Sequence, residues 1–189
     1  MKALGLSLLF LAGAASASQD AALKAGVFDP PRTAPDFSLR GSDGADLRLS
    51  HYRGKVVILA FGFTSCTEVC PTTLATLAAA HEKLGAQRDR VQVVYVTVDP
   101  ERDDPARMRK YLGGFDPTFV GGTGTDEQLA AVRRDFGITA TRKTSGDSYS
   151  FSHSSYTYLI DRAGLLRALM PYGQTPDDYV HDLRILLEP

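Results

Sequence analysis

The stretch that most constrains this chain is Phe61-Gly62-Phe63-Thr64-Ser65-Cys66-Thr67-Glu68-Val69-Cys70-Pro71, which holds its only two cysteines, four residues apart. An apolar run, Val56 to Phe61, enters it, and a helix-forming run, Leu74 to Leu84, leaves it. The pattern predicts a buried strand, a small-residue turn and a helix start that deliver both sulfurs to one exposed corner. Unpaired N–H groups and the macrodipole at a helix N-terminus favour anions, so a lowered thiol pKa and accessible thiolate are expected. Such a corner suits soft-metal binding or thiol redox work. On a helix, Cβ atoms at i and i+4 stand roughly 5–6 Å apart. A disulfide wants about 3.5–4.5 Å, whereas two thiolates meeting one metal at roughly 2.3 Å each fit the wider spacing. A thiolate pair with no hard oxygen set points to Cu(I) or Zn(II) rather than calcium or magnesium. A plain structural disulfide is the alternative in an oxidising compartment.

The N-terminus speaks for that compartment. Met1-Lys2, the apolar run Ala3 to Ala14 and the small residues Ala15-Ser16-Ala17 read as a signal peptide over 1–17, cleaved after Ala17. The run is shorter than the ~20 residues that span a bilayer. The expectation is an exported, periplasmic protein with no membrane span after cleavage, a retained N-terminal anchor being the alternative. A net charge of −1 with no basic block gives no footing for nucleic acid. With 189 residues, 43% of them hydrophobic, the chain has material for one well-cored domain, and a monomer with protein or small-ion partners is expected.

Residues 18–35, with Pro30-Pro31 and Pro35, read as a linker or extended arm, and 36–189 as the domain. Asp36 to Leu39 and Asp46 to Leu49 alternate polar and apolar around a Gly/Asp turn, a hairpin. Val56 to Phe61 and Val91 to Val98 are central strands, the second buried on both faces. Helices are expected from Leu74 to about Gln87, from Asp104-Pro105 to Leu112, over Asp126 to Phe136 and from Thr175 to Leu187. Phe119-Val120 reads as a short strand and Ile138 to Ser148 as a polar loop. Tyr156 to Asp161 and Leu165 to Pro171 read as a hairpin. This order implies an α/β, thioredoxin-like fold: a central mixed sheet flanked by helices, with an N-terminal β-hairpin extension. Its first strand-to-helix turn falls at the carboxyl edge of the sheet, where sites of open α/β sheets gather.

Two thiolates leave room for another ligand, and the chain has four histidines. In this fold the loop carrying His153 packs beside the cysteine turn, so a Cys₂His site of Cys66, Cys70 and His153 is the sharp reading. A hydrogen-bonded loop histidine is the plain one. His81 lies 11 residues past Cys70, roughly 16 Å along a helix, and cannot share a metal with it. His51 reads as a turn residue and His181 as exposed on the last helix. Glu68 reads as a complement to the helix dipole, Asp99 as a turn cap or a partner to the cysteine turn, and Arg102, Asp103 and Asp104 as a solvated loop.

Three motifs in order, Gly62-Phe63-Thr64-x-Cys66-x-x-x-Cys70-Pro71, Val98-Asp99-Pro100-Glu101-Arg102-Asp103 and His153-Ser154 before Tyr158-Leu159-Ile160-Asp161, resemble the Sco/SenC family. Its members are copper-binding thioredoxin-like proteins that help assemble the copper A centre of cytochrome c oxidase. The resemblance runs from about Pro35 to Leu187. It implies that Cys66, Cys70 and His153 hold copper, as Cu(I) or Cu(II), for delivery to the oxidase copper A subunit or another periplasmic copper protein. Thiol-disulfide chemistry at Cys66 and Cys70 is implied beside it. The competing function is a thiol-disulfide oxidoreductase that reduces partner cysteines without carrying copper, with Cys66 as attacking thiolate. A peroxidase of the peroxiredoxin type shares the fold but needs a single peroxidatic cysteine in its own setting. Thr67 stands where family members usually carry Pro after the first cysteine, and many relatives keep a membrane anchor.

Overall fold

The computed structural model describes residues 22–188, so the signal-peptide reading of 1–17 lies outside the described residues. In chain order the strands are β1 (Gly26–Thr33), β2 (Ser38–Gly41), β3 (Asp46–Arg48), β4 (Val56–Gly62), β5 (Val91–Thr97), β6 (Val120–Thr123), β7 (Ala140–Ser145), β8 (Ser148–His153), β9 (Thr157–Ile160) and β10 (Leu165–Met170). The helices are α1 (Val69–Lys83), α2 (Pro105–Gly113), α3 (Asp126–Phe136) and α4 (Pro176–Leu187). Eight strands form one mixed sheet in the order β1-β10-β9-β4-β5-β6-β2-β3, and β7 pairs with β8 in a separate ribbon.

The centre of the sheet follows from composition. Every residue of β4 and β5 is buried, as expected of parallel strands covered on both faces. They run parallel from Val56 opposite Val91 to Gly62 opposite Thr97, with β9 antiparallel on the other side of β4. Helix α1 packs against α4, and α2 lies along β6. Leu74, Leu77 and Ala80 of α1 and Leu183 of α4 are fully buried. The thioredoxin-like α/β arrangement and both hairpins expected beside it, β2–β3 and β9–β10, are present.

Three of the four helices start on an oxygen. Asp104 caps α2 by accepting from the Arg107 amide at 2.7 Å, and Thr125 with Gln128 and Thr175 with Asp178 form capping boxes on α3 and α4. Helix α1 has no such cap, since Glu68 at its N-cap position makes no side-chain bond. Its first turn belongs to the cysteines.

Two stretches read as irregular pair as strands. Within the linker or arm read over 18–35, Gly26–Thr33 pairs with β10 as an edge strand of the main sheet, so the described fold begins before residue 36. Its register breaks between Val27 and Arg32, where Pro30 and Pro31 have no N–H to give, and an edge position tolerates that. Asp182, fully buried on α4, holds the arm by accepting from the Lys24 and Ala25 amides at 2.8 and 2.9 Å. The polar stretch 138–148 is not a loop: most of it is β7 and the turn into β8, in register from Ala140 opposite His153 to Ser145 opposite Ser148. Among the described residues no helix is long and apolar enough to cross a membrane.

Candidate metal centre

Strand β4 ends at Gly62 and α1 begins at Val69, so Cys66 sits in the connecting turn rather than on the helix, and Cys70 sits in the first helical turn. The Cys66 amide donates to Phe63 O at 3.2 Å, closing the turn. The Cys70 amide then donates to Cys66 Sγ at 3.4 Å. The first sulfur thus stands where the other helices have an oxygen cap. Both cysteines are free thiols here; Cys70 is buried and Cys66 half-buried.

Burial decides the protonation of the inner thiol. Loss of solvent, with a hydrogen bond to Cys66 adding to it, pushes Cys70 up to about 12. The helix N-terminus does not outweigh this, so the expectation of a lowered thiol pKa fails at Cys70. Cys70 enters any reaction as a thiol and must give up a proton to become a ligand or nucleophile.

Opposite it stands His153, at the end of β8, with Nε2 3.5 Å from Cys70 Sγ. Its Nδ1 lies 2.7 Å from Ser154 O. A carbonyl only accepts, so Nδ1 carries the proton and Nε2 turns a lone pair toward the sulfur. Burial lowers the His153 pKa, partly offset by the bond to Ser154, and keeps the ring neutral. This is how a metal-ligating imidazole is held: one nitrogen tied to a backbone oxygen, the other free.

The ribbon that carries His153 is fixed through its aromatic side. Phe151 and His153 meet the Phe63 ring edge-on at centroid distances of 5.8 and 6.0 Å. Tyr149 is sandwiched between the guanidinium groups of Arg102 (3.9 Å) and Arg142 (3.6 Å). Its hydroxyl donates to Asp99 Oδ1 at 3.0 Å, and Arg102 pairs with Asp99 Oδ2 while donating to Tyr149 O at 3.1 Å.

Asp103, read from sequence as solvated, is fully buried. It accepts from the Thr64 amide (3.0 Å), the Thr64 hydroxyl (2.5 Å) and the Thr97 hydroxyl (2.6 Å), tying the cysteine turn to the end of β5. Arg107 bridges the outside by donating to Thr64 Oγ1 at 2.6 Å and Ser65 Oγ at 2.9 Å. It is therefore Asp103 that clamps the cysteine turn, whereas Asp99 holds the ribbon. Asp104 is the helix cap already described. No pattern in the local sequence separates Asp103 from its charged neighbours; the contact forms only when β4 and β5 lie side by side.

Both nearby aspartates have their oxygens engaged by other groups, so neither offers an open carboxylate beside the sulfurs and the imidazole. Among the described residues no three His, Cys, Asp or Glu side chains already stand in a metal's geometry. The structure brings Cys66 to Cys70 and Cys70 to His153. The other histidines lie elsewhere: His81 is buried between Asp116 Oδ2 (2.9 Å) and Arg88 O (3.0 Å), His51 is exposed in a 3-10 turn, and His181 is half-exposed beside Asp182. Two sulfurs and an imidazole nitrogen with few oxygens suit a soft or borderline metal.

A thioredoxin-like sheet with a cysteine pair at its first strand-to-helix turn, faced by a histidine from a separate ribbon, defines a class of thiol-imidazole proteins. The SCO1/SenC family model matches residues 27–188, and the chain belongs to that family. It is 36% identical over 132 residues to an SCO2-like protein of Rickettsia felis, covering 68% of this chain and 64% of that one. The chain thus spans just under two thirds of that relative's length. Among solved structures, apo Sco1 of Thermus thermophilus has a TM-score of 0.79 at 36% identity, covering 88% of this chain and 98% of that one. Bradyrhizobium japonicum ScoI, solved with copper bound, has a TM-score of 0.77 at 31% identity, covering 82% and 99%.

Proposed function

We propose that this protein is a copper chaperone that binds copper through Cys66, Cys70 and His153 and hands it to the copper A site of cytochrome c oxidase during assembly. The observation that carries the reading is the contact of Cys70 Sγ with a His153 Nε2 whose lone pair is free. The likeness to a copper-bound ScoI supports the choice of metal. Copper is cargo here, and it supplies a soft acceptor for two thiolates and one imidazole.

The chain's own part follows from its geometry. Cys66, half-buried at the mouth of the turn, is the sulfur a partner's thiol reaches first, and Cys70 is the deeper one. On binding, the Cys70 thiol gives up the proton that burial has retained. His153 needs no deprotonation at neutral pH and its ring is already aimed. A site with one accessible and one deep sulfur suits ligand-by-ligand transfer to another thiol-rich site. The reading places the mature protein in the periplasm as a monomer, with residues 1–17 removed. A purely redox role needs only the two sulfurs and leaves the His153 contact without a purpose.

The test is an anaerobic Cu(I) titration of the reduced protein against a competing chelator, with Cys66→Ser and His153→Ala in parallel. One-to-one binding that is lost in Cys66→Ser and weakened in His153→Ala is the expected result. Binding no tighter than that of a protein lacking both cysteines would sink the proposal.

A further inference from the structure

One polar atom beside the site has no partner. Tyr95, on β5, is 1% exposed, and its hydroxyl is one of three buried side-chain polar atoms among the described residues that make no hydrogen bond. Buried hydroxyls are nearly always paired, so an orphan at a functional site has a cause to be found. Tyr111 leans on the Tyr95 ring with centroids 6.4 Å apart, but its own hydroxyl is unpaired as well, so the two phenols do not satisfy each other.

The orphan stands over Gly62, the last residue of β4. A Cβ placed there would lie 1.9 Å from Tyr95 Oη and 2.9 Å from Cys70 Sγ. Oxygen and sulfur therefore both lie within 2.9 Å of a single point, which only the absence of a side chain at Gly62 allows.

Proton positions show why the hydroxyl is unpaired in the thiol form. His153 gives its Nδ1 proton to Ser154 O, which leaves Nε2 an acceptor 3.5 Å from Cys70 Sγ, and the thiol has a single proton to give. The sulfur keeps its lone pairs on the Tyr95 side, but a neutral thiol is a weak acceptor. A thiolate is a strong one, because charge-assisted hydrogen bonds are about twice as strong as neutral ones. We infer that Tyr95 is the hydrogen-bond donor to the Cys70 sulfur when that sulfur is a metal-bound thiolate, a positioning residue that tunes the copper site through the ligand it touches. The inference rests on the copper-binding reading above.

Tyr95→Phe removes the oxygen and nothing else. In the metal-free protein its thermal midpoint stays or rises, because an unpaired hydroxyl contributes nothing to the fold. With copper, affinity for Cu(I) against a competing chelator falls about 10- to 100-fold, the range for partners of metal ligands. In the Cu(II) form the sulfur-to-copper charge-transfer band moves to lower energy, since the sulfur lone pair loses the donor that held it down. If wild type binds no copper, the copper reading falls and takes this inference with it. If wild type binds normally while Tyr95→Phe stays within about twofold with its band unmoved, this inference alone fails. A lowered midpoint in the metal-free variant would also overturn it, by showing that the hydroxyl supports the fold.

Discussion

His81 and His153 are held alike at one ring nitrogen and differently at the other. Each has one nitrogen on a backbone carbonyl: His81 on Arg88 O, His153 on Ser154 O. They differ in what the second nitrogen meets. For His81 it is a buried carboxylate, Asp116, which Arg88 and the Thr118 amide and hydroxyl also hold. Both of its nitrogens thus face oxygen acceptors. For His153 it is a thiol, and the lone pair is left open. On the copper-binding reading, a second nitrogen that faces sulfur rather than a carboxylate marks the ligand histidine, and burial does not, since His81 is the deeper of the two.

The largest way to break this comparison is His81→Ala. It leaves Asp116 buried without its partner at 2.9 Å, and stability in denaturant should fall by about 3 kcal/mol. Copper stoichiometry of the folded fraction should stay at one; a change there would place His81 in the site's support. Next comes Asp103→Asn, which loosens the cysteine turn without touching either ring. Losing charged acceptance from Thr64 and Thr97 should cost about 2 kcal/mol and speed amide exchange at Thr64. His153→Ala should cost little stability, yet weaken Cu(I) binding by at least about 10-fold; equal losses of stability and affinity would make it a second His81.

Acidity sharpens the contrast further. The His153 pKa in the folded chain lies below its unfolded value of about 6.5. The stability it contributes is therefore present above about 6.5 and lost as pH falls through the folded value. Copper affinity should show an extra loss once pH falls below the folded value, because a proton then occupies Nε2. Release of the Cys70 proton gives wild type and His153→Ala a common slope, so only the extra loss below the folded value should vanish in the variant. The smallest effect is expected from Arg102→Met, which unstacks one face of Tyr149 and frees Asp99. Amides 148–153 should exchange faster, with a severalfold loss of copper affinity, and unchanged exchange would show the ribbon to be held elsewhere.

What could be read from sequence follows the same division between core and ribbon. Strands β4 and β5 announce themselves as runs of Val, Ile and Leu, and the cysteine turn between them and α1 is legible because strand and helix signals flank it. The ribbon was missed at β7 because Thr141, Arg142, Lys143 and Thr144 carry no apolar alternation. At β8 the every-second-residue signal was there, in Tyr149, Phe151 and His153, whose faces are half-buried between exposed serines. Cation–π stacking at Tyr149 joins the packing of Phe151 on Phe63 in holding this element, and an apolar count is blind to the first. Strand β1 was hidden by prolines that a central strand would reject and an edge accepts. Asp103 and Tyr95 were out of reach for another reason: their partners on β4 and its turn lie more than thirty positions away, so each contact exists only once the sheet has formed.

The separation of the ribbon from the main sheet has a mechanical side. Cys70 and His153 are 83 positions apart in the chain, and they belong to two bodies that share no strand pairing. An ion held between them acts as a removable cross-link closing that long loop. On the copper-carrier reading proposed above, an ion bound at both ends of that loop would hold the ribbon against the cysteine turn by mass action, so the loaded and empty forms would differ in stiffness there.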